Sequence, residues 1–387
     1  MSQDKLDLTN KKVAIVSHIY ATGPTHALEN YLIGKVKKLI FIGHPFVFAK
    51  DTRSHMRVYK DRKKKFVNTY LPLKVPNQLF SLIKDNIFTV YWIIENGPVD
   101  VYIGADCFNG SVGIFLKKIG LVKKTVFWTI DYIPNRFHNK LMNSIYHYLD
   151  TYCVKESDMV WNLSQVMVTE REKKGVPEEY RTKQIVVPMG TEGNITSVPF
   201  SKIKRHTAVH MGHLIPKQGV QLIIEAIPDI VKQVPQFHLD IIGSGNYEDD
   251  LKDLAEKYKV NKYITWYGFV KNHTEVQKML SYGAFGLAPY LNTKDNYIQY
   301  TDPGKVKAYL AAGLPIIITK MTQIADEIND RTCGVAIKYD KKEFVNASIR
   351  LLTDDNLLKQ MKKNVVIMSK DYSWEKIFSS ALQQTLQ

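Results

Sequence analysis

Short apolar runs alternate with longer amphipathic stretches along almost the whole chain. The first run, KVAIVS at 12–17, ends in a polar loop at 18–25 that holds Gly23 and Pro24, and an amphipathic stretch follows from about 26 to 37. The next run covers 39–43. Runs this short, separated by helical periodicity, predict strands of a parallel sheet with helices packed on it. The alternation continues through strands at 99–104, 125–129, 159–163 and 184–187, with helices at 109–119, at 136–154 and after Ser164. Residues 51–74 are polar and basic without a clear period and read as a loop. The most apolar helical segment is NIFTVYWII at 86–94, flanked by Lys84, Asp85 and Glu95. It is too short to span a bilayer, so it reads as a buried helix or as a patch that dips into a membrane surface.

A linker-like stretch at 193–205, with Gly, Asn, Thr, Ser and Pro, precedes a second series. Its strands fall at 207–211, 238–242, 264–267, 284–288, 316–319 and 334–337. Helices lie at 220–234, 248–258, 277–282 and 323–329, and two more close the chain. The two series predict an α/β protein with two Rossmann-like, doubly wound parallel-sheet domains, 1–192 and 206–370, joined by 193–205. The G-x-G-x-x-G fingerprint of dinucleotide binding is missing after the first strand.

The segment TDPGKVKAYLAAGLP, Thr301 to Pro315, organises the second half. Asp302 reads as an N-cap, Pro303 as the first helical residue and Gly313 as the C-terminal cap, with Pro315 beyond it. The unpaired amides at that helix start, with Lys305 and Lys307 one turn in, suit an anion such as a diphosphate. The plain alternative is a capped helix with solvated lysines.

Composition changes the picture in one respect. The chain has 387 residues, 45% hydrophobic and 24% charged, which is globular. Its net charge is 53 − 38 = +15, and residues 1–200 alone hold 28 basic and 18 acidic residues, +10. Basic clusters lie at 35–38, 60–65, 117–118 and 123–124. Such an excess suits acidic partners, either anionic lipid or nucleotide phosphates, and no nucleic-acid motif accompanies it. Cys107, Cys153 and Cys333 have neither metal nor disulfide spacing, which fits a reducing compartment. The N-terminus lacks the apolar core of a signal peptide, so a cytoplasmic protein is expected, peripheral at the inner face of the membrane.

Five motifs, in order and over nearly the whole chain, resemble the GT-B nucleotide-sugar glycosyltransferases, and among them the retaining glycosyltransferase family 4 (glycosyl transferases group 1). His210-Met211-Gly212-His213-Leu214 with Lys217-Gln218-Gly219 resembles the family's strand, G-R-L and K-G. Ile241-Ile242-Gly243-Ser244-Gly245 resembles V-G-x-G, and Gly268-Phe269-Val270 resembles the G-x-V at the nucleobase. Lys305 to Pro315 resembles K-x-x-E-Y-L-A-x-G-x-P, and Tyr372-Ser373-Trp374-Glu375 resembles the S-W-E that opens a final helix. The resemblance implies two domains facing across a cleft, with 371–387 crossing back to the first. It implies transfer of a hexose-type sugar from a UDP- or GDP-linked donor to a carbohydrate or lipid-linked acceptor in cell-envelope glycan or glycolipid synthesis, with no metal and no other cofactor.

Residue by residue, the resemblance puts the donor diphosphate on Gly212, His213, Lys217, Gly304, Lys305 and Lys307. The nucleotide falls to Gly243, Gly245, Phe269 and Val270. Gly243 and Gly245 would let backbone approach the ligand, since no Cβ intervenes. Gly23, Tyr300 and Thr301 fall on the donor-sugar or acceptor side. Asp131 and Asp302 are the catalytic candidates, each with a plain capping role as its alternative. His18 and Asp106 read first as a satisfied loop histidine and a strand-end acid, with a place facing the cleft as the alternative for each. The family's arginine is replaced by His213, and its paired glutamates fall on Tyr300 and Ala308. A neutral imidazole has no fixed charge, so the phosphate grip shifts to Lys217 and Lys305. A sugar-nucleotide epimerase on the same fold and a non-catalytic partner of another transferase are the rival readings.

Overall fold

The computed structural model of the protein describes residues 7–19, 23–46, 48–49, 51, 53–60, 63–71, 78–137, 139–191, 196–293 and 295–387, with backbone alone at 63–71 and 78–79. The chain forms two compact units: Met1–Pro188 with Trp374–Gln387, and Met189–Ser373. The first part of the 193–205 stretch, 193–195, lies outside the described residues.

The first unit runs β1 (Lys12–Ile19), α1 (Pro24–Leu32), β2 (Lys38–Pro45), β3 (Ser54–Lys60), β4 (Lys63–Leu71), α2 (Gln78–Asn96), β5 (Val99–Ala105), α3 (Cys107–Lys118), β6 (Val122–Thr129), α4 (Lys140–Glu156), β7 (Met159–Asn162), α5 (Gln165–Lys173) and β8 (Gln184–Val186). Its sheet has the order β4-β3-β2-β1-β5-β6-β7-β8. Strands β1, β2, β5, β6, β7 and β8 pair in parallel, and the centres of all but the edge strand β8 are buried because helices cover both faces.

Three readings of the sequence need correction here. Within the 51–74 stretch, of which 72–74 lie outside the described residues, β3 and β4 form an antiparallel edge pair added to β2. Its period of two is present, since Met56 and Val58 enter the core. The residues between them are polar because Arg57 and Tyr59 bind the Glu29 carboxylate of α1, at 2.6–2.8 Å. The apolar 86–94 segment belongs to a longer helix, α2, that buries only one face, with Trp92 and Ile93 inside and Ile87, Tyr91 and Ile94 outside. The closing part of the chain has three helices after the last strand instead of two. Asp340 and Asp354 each cap a new helix start, accepting amides from Glu343 and Leu357.

The second unit runs β9 (Thr207–Met211), α6 (Val220–Gln233), β10 (His238–Ile242), α7 (Glu248–Lys257), β11 (Ile264–Gly268), α8 (His273–Ser281), β12 (Phe285–Ala288), α9 (Gly304–Ala311), β13 (Ile316–Thr319), α10 (Gln323–Asp330), β14 (Gly334–Ile337), α11 (Lys341–Thr353) and α12 (Asp355–Ser369). Its six strands are all parallel, in the order β11-β10-β9-β12-β13-β14. The order reverses between β9 and β12, which is where a doubly wound sheet opens at its carboxyl ends. The last helix, α13 (Trp374–Leu386), belongs to the first unit. Thr385 accepts a hydrogen bond from the indole of Trp161 at 3.0 Å, and Phe378 packs edge-on to Trp128.

Candidate active site

In the second unit the loops after β9 and β10 are closed onto each other. The Gly212 amide donates to Ile242 and the Leu214 amide to Ser244, at 2.9 and 3.0 Å. A Cβ at Gly243, where φ is +139°, would stand 1.9 Å from the Gly212 carbonyl oxygen, and one at Gly245 would stand 2.1 Å from that of Leu214. Both glycines are therefore required by backbone packed against backbone, and the close approach expected for a ligand is taken by the neighbouring loop.

The helix after Thr301 divides the residues expected at its start into two groups. Pro303 occupies the N-cap position, and Asp302 does not cap. Its buried carboxylate accepts the Met189 amide at 2.9 Å and pairs with the Lys307 ammonium at 2.9 Å. Lys307 is itself buried, with its ammonium 3.7 Å from the centre of the Tyr372 ring. Burial raises the Asp302 carboxyl and lowers the Lys307 ammonium, and their attraction to each other opposes both shifts. Lys307 is thus an internal ion-pair partner, and its placement on the diphosphate is corrected.

Lys305 differs. It is partly buried, its ammonium donates to the Gln218 amide oxygen at 2.5 Å, and it lies 5.3 Å from the Tyr290 ring centre. A Cβ on Gly212 would stand only 2.9 Å from it, so the ammonium lies against that turn. Among the described residues no carboxylate is within ion-pair distance, and desolvation lowers the ammonium to about 7. The amides of Gly304 and Lys305 open the helix, where no intrahelical acceptor exists. Tyr309 fixes this arrangement: its hydroxyl donates to Leu287 and accepts the Met211 amide, at 3.0 and 2.8 Å.

The other expected donor residues lie at the same strand ends with less commitment. Lys217 pairs with the exposed Asp295 carboxylate at 2.8 Å. His213 and Phe269 are exposed, and Val270 is partly exposed. Tyr300 and Thr301 close the short turn ahead of α9 and are partly exposed, and Gly304 is exposed.

In the first unit, Asp131 is exposed just beyond β6, yet enough protein surrounds its carboxyl for desolvation to raise it, with Arg136 opposing. Gly23 sits at the N-cap of α1 in extended backbone, and a Cβ there would meet open space. The larger construction is built on His18. Its Nδ1 lies 2.7 Å from an Asp106 oxygen and its Nε2 3.3 Å from an Asp85 oxygen. Two carboxylates on the two ring nitrogens require both to donate, which is the imidazolium. Desolvation works against that charge, but Asp106 and Asp85 outweigh it and raise His18 to about 9. Desolvation also opposes the Asp85 charge, and His18 and His44 outweigh it, holding the carboxyl far below its usual range. Ser54 and Lys84 lie 3.0 Å from the other Asp85 oxygen. His18, Asp85, Asp106 and Arg136, with Phe46, Phe48, Phe108 and Phe137, line a cavity of about 230 Å3.

Comparison with known proteins finds relatives among glycosyltransferases. Residues 205–354 match the family model described as glycosyl transferases group 1. An uncharacterized glycosyltransferase of Haemophilus influenzae is 24% identical over 321 residues, 80% of this chain and 83% of its own. A putative colanic acid biosynthesis glycosyltransferase of Escherichia coli K12 is 24% identical over 300 residues, 74% of this chain and 70% of its own. Anabaena HepE, solved in complex with UDP, superposes with a TM-score of 0.72 at 13% identity, covering 97% of this chain and 99% of the other. Residues 205–354 thus carry the glycosyl transferases group 1 match, and the whole chain has the GT-B fold.

Within the matched region, sequence reasoning missed Gln218 although it lies between the named Lys217 and Gly219. An amide side chain carries no chemical flag, and only its hydrogen bond to Lys305 reveals it. Asp85 and His44 were missed as well. Asp85 was legible only as a charge flanking the apolar run of α2, and its histidine partners are 67 and 41 residues away in sequence.

Proposed function

We propose that this glycosyltransferase moves a hexose-type sugar from a nucleoside-diphosphate donor to a carbohydrate or lipid-linked acceptor, with the donor diphosphate on Lys305 and the first amides of α9. One observation carries this: the partly buried Lys305 ammonium has a neutral amide as its hydrogen-bond partner and, among the described residues, no carboxylate within reach. A desolvated cation beside open helix amides is stabilised by an anion, and the leaving diphosphate gains negative charge as the glycosidic bond breaks. Amides and an ammonium supply that stabilisation without a metal ion or other cofactor. UDP ahead of GDP is supported by the Anabaena neighbour, and a cell-envelope glycan by the colanic acid relative. Family resemblance supports retention of configuration. The first-unit cavity suits the acceptor, because carboxylates accept from sugar hydroxyls and ring faces pack on sugar C–H groups. Asp131 remains the candidate to meet an acceptor hydroxyl or take its proton. The basic excess suits an acceptor presented at an anionic, inner membrane face.

A thermal-shift screen with UDP, GDP, ADP and their common sugars, run on wild type and Lys305→Ala, tests the donor assignment. Stabilisation of several degrees by one nucleotide, absent in the variant, is the expected result. No shift with any nucleotide overturns it and favours a non-catalytic partner protein, the reading that Tyr300 and Ala308 at the glutamate positions would then explain.

A further inference from the structure

The outer surface of α2 is apolar from end to end. Phe80, Ile83, Ile87, Tyr91 and Ile94 follow one another at spacings of three or four, so they form one stripe, and each is 48–61% exposed. The opposite side of the same helix is already used, by Thr89, Trp92 and Ile93 in the interior. Between Phe80 and Ile94 no exposed position of α2 carries a charge, and Glu95 follows at its end.

Neighbouring helices extend the stripe. The connections β4 to β5, β5 to β6 and β6 to β7 all advance in one direction across the sheet, so right-handed crossovers put α2, α3 and α4 on the same face. Phe115 of α3 and Ile119 just beyond it are each 50% exposed, and a shallow depression lined by Ile87, Val90, Val112 and Phe115 joins α3 to α2. Leu141, Ile145 and Tyr148 repeat the pattern on α4. Ten of the seventeen large apolar side chains exposed among the described residues therefore lie on three adjacent helices, which is concentration and not scatter. The α2 and α3 members alone leave on the order of 500 Å2 of apolar surface, at the upper end of what a monomer shows in one patch.

We propose that the outer face of α2 and α3 docks this protein on an anionic lipid bilayer. Charge decides between the occupants such a face could take. Residues 1–200 carry 28 − 18 = +10, and Lys140, at the start of α4 beside exposed Leu141, is exposed with no carboxylate within ion-pair distance among the described residues. A second copy of the chain would bring that same excess against itself, whereas acidic lipid head groups neutralise it. The surface is also continuous with the cavity of this unit. One turn of α2 gives Phe80 and Ile83 to the stripe and Ser81 and Leu82 to the cavity lining, where Phe48 is 67% exposed. A bilayer on the stripe thus lies next to a cavity already suited to a polar head group. The docking itself does not depend on the transferase reading.

The test is sedimentation of the full chain with vesicles of phosphatidylcholine alone and of phosphatidylcholine with phosphatidylglycerol, at low and high salt. Wild type is expected to bind the mixed vesicles more tightly and in a salt-sensitive way. Ile83→Asp/Ile87→Asp is expected to lose at least about tenfold in affinity while its nucleotide-induced thermal shift stays at the wild-type value, which separates this result from a failure of the donor assignment. Equal binding by the double variant, or no binding by wild type to either vesicle, overturns the proposal. So does a wild-type dimer in sedimentation velocity that Ile83→Asp/Ile87→Asp converts to monomer, since the face would then be covered by a second copy.

Discussion

An ammonium beside a neutral amide loses hydration and gains no opposite charge in return, whereas one beside a carboxylate gains attraction to set against the same loss. Lys305 and Lys307 are these two cases on one helix, and they predict opposite phenotypes. Lys307→Met leaves the Asp302 carboxylate buried with only the Met189 amide, so stability should fall by about 3 kcal/mol in urea denaturation while nucleotide affinity in the folded protein is kept. Lys305→Ala removes a charge that the fold leaves uncompensated, so stability should hold and nucleotide affinity should fall. The Lys305 ammonium stands near 7 in the free protein and is raised by a bound diphosphate. Affinity should therefore decline as pH rises above about 7, by up to tenfold per unit, and Lys305→Arg should flatten that decline. A Lys307→Met variant that folds normally but loses nucleotide would return Lys307 to the phosphates.

At the scale of elements, His18 ties β1 to α2 through Asp85 and to the start of α3 through Asp106. An ordinary histidine titrates near 6.5, and here the folded state holds its proton to about 9. Protonation therefore favours the fold fully below 6.5, and that contribution disappears as pH rises to about 9. Wild type should lose roughly 2–3 kcal/mol more than His18→Gln between pH 6.5 and 9.5, measured by urea denaturation. Equal pH dependence in the two proteins would place the proton elsewhere. The same scale explains why some elements were legible and others were not. Strands buried on both faces, such as β1 and β13, announce themselves as apolar runs. The β3–β4 pair does not, because the alternate β3 residues Arg57 and Tyr59 are polar and bind the buried Glu29 carboxylate of α1.

For the whole molecule, α13 follows the second unit in sequence and packs in the first. Its Phe378 touches the rings of Tyr31 and Trp128, Thr385 bonds the Trp161 indole, and the Thr385 carbonyl accepts from Lys124. Deleting 374–387 exposes that apolar surface and orphans the indole donor, a cost borne by the first unit alone. Hydrogen exchange should speed up in β6 and β7 of the truncated chain and stay unchanged in β9 and β13. Equal acceleration in both units would mean that they melt as one.

The sequence by itself determined the parallel strands of both series and most of the helices between them, the glycine turns after β9 and β10, and the presence of a helix after Thr301. Those features depend on periodicity and on backbone freedom, which neighbouring residues settle among themselves. Only the tertiary structure decided which charges are spent inside the protein. Lys305 and Lys307 are two residues apart, about 200° around the helix, so one lies against the Gly212 turn and the other points to Asp302 and Tyr372. His18 and Asp106 meet because the parallel strands β1 and β5 end on the same side of the sheet, and α2, packed on that sheet, brings Asp85 to them across 67 residues of sequence.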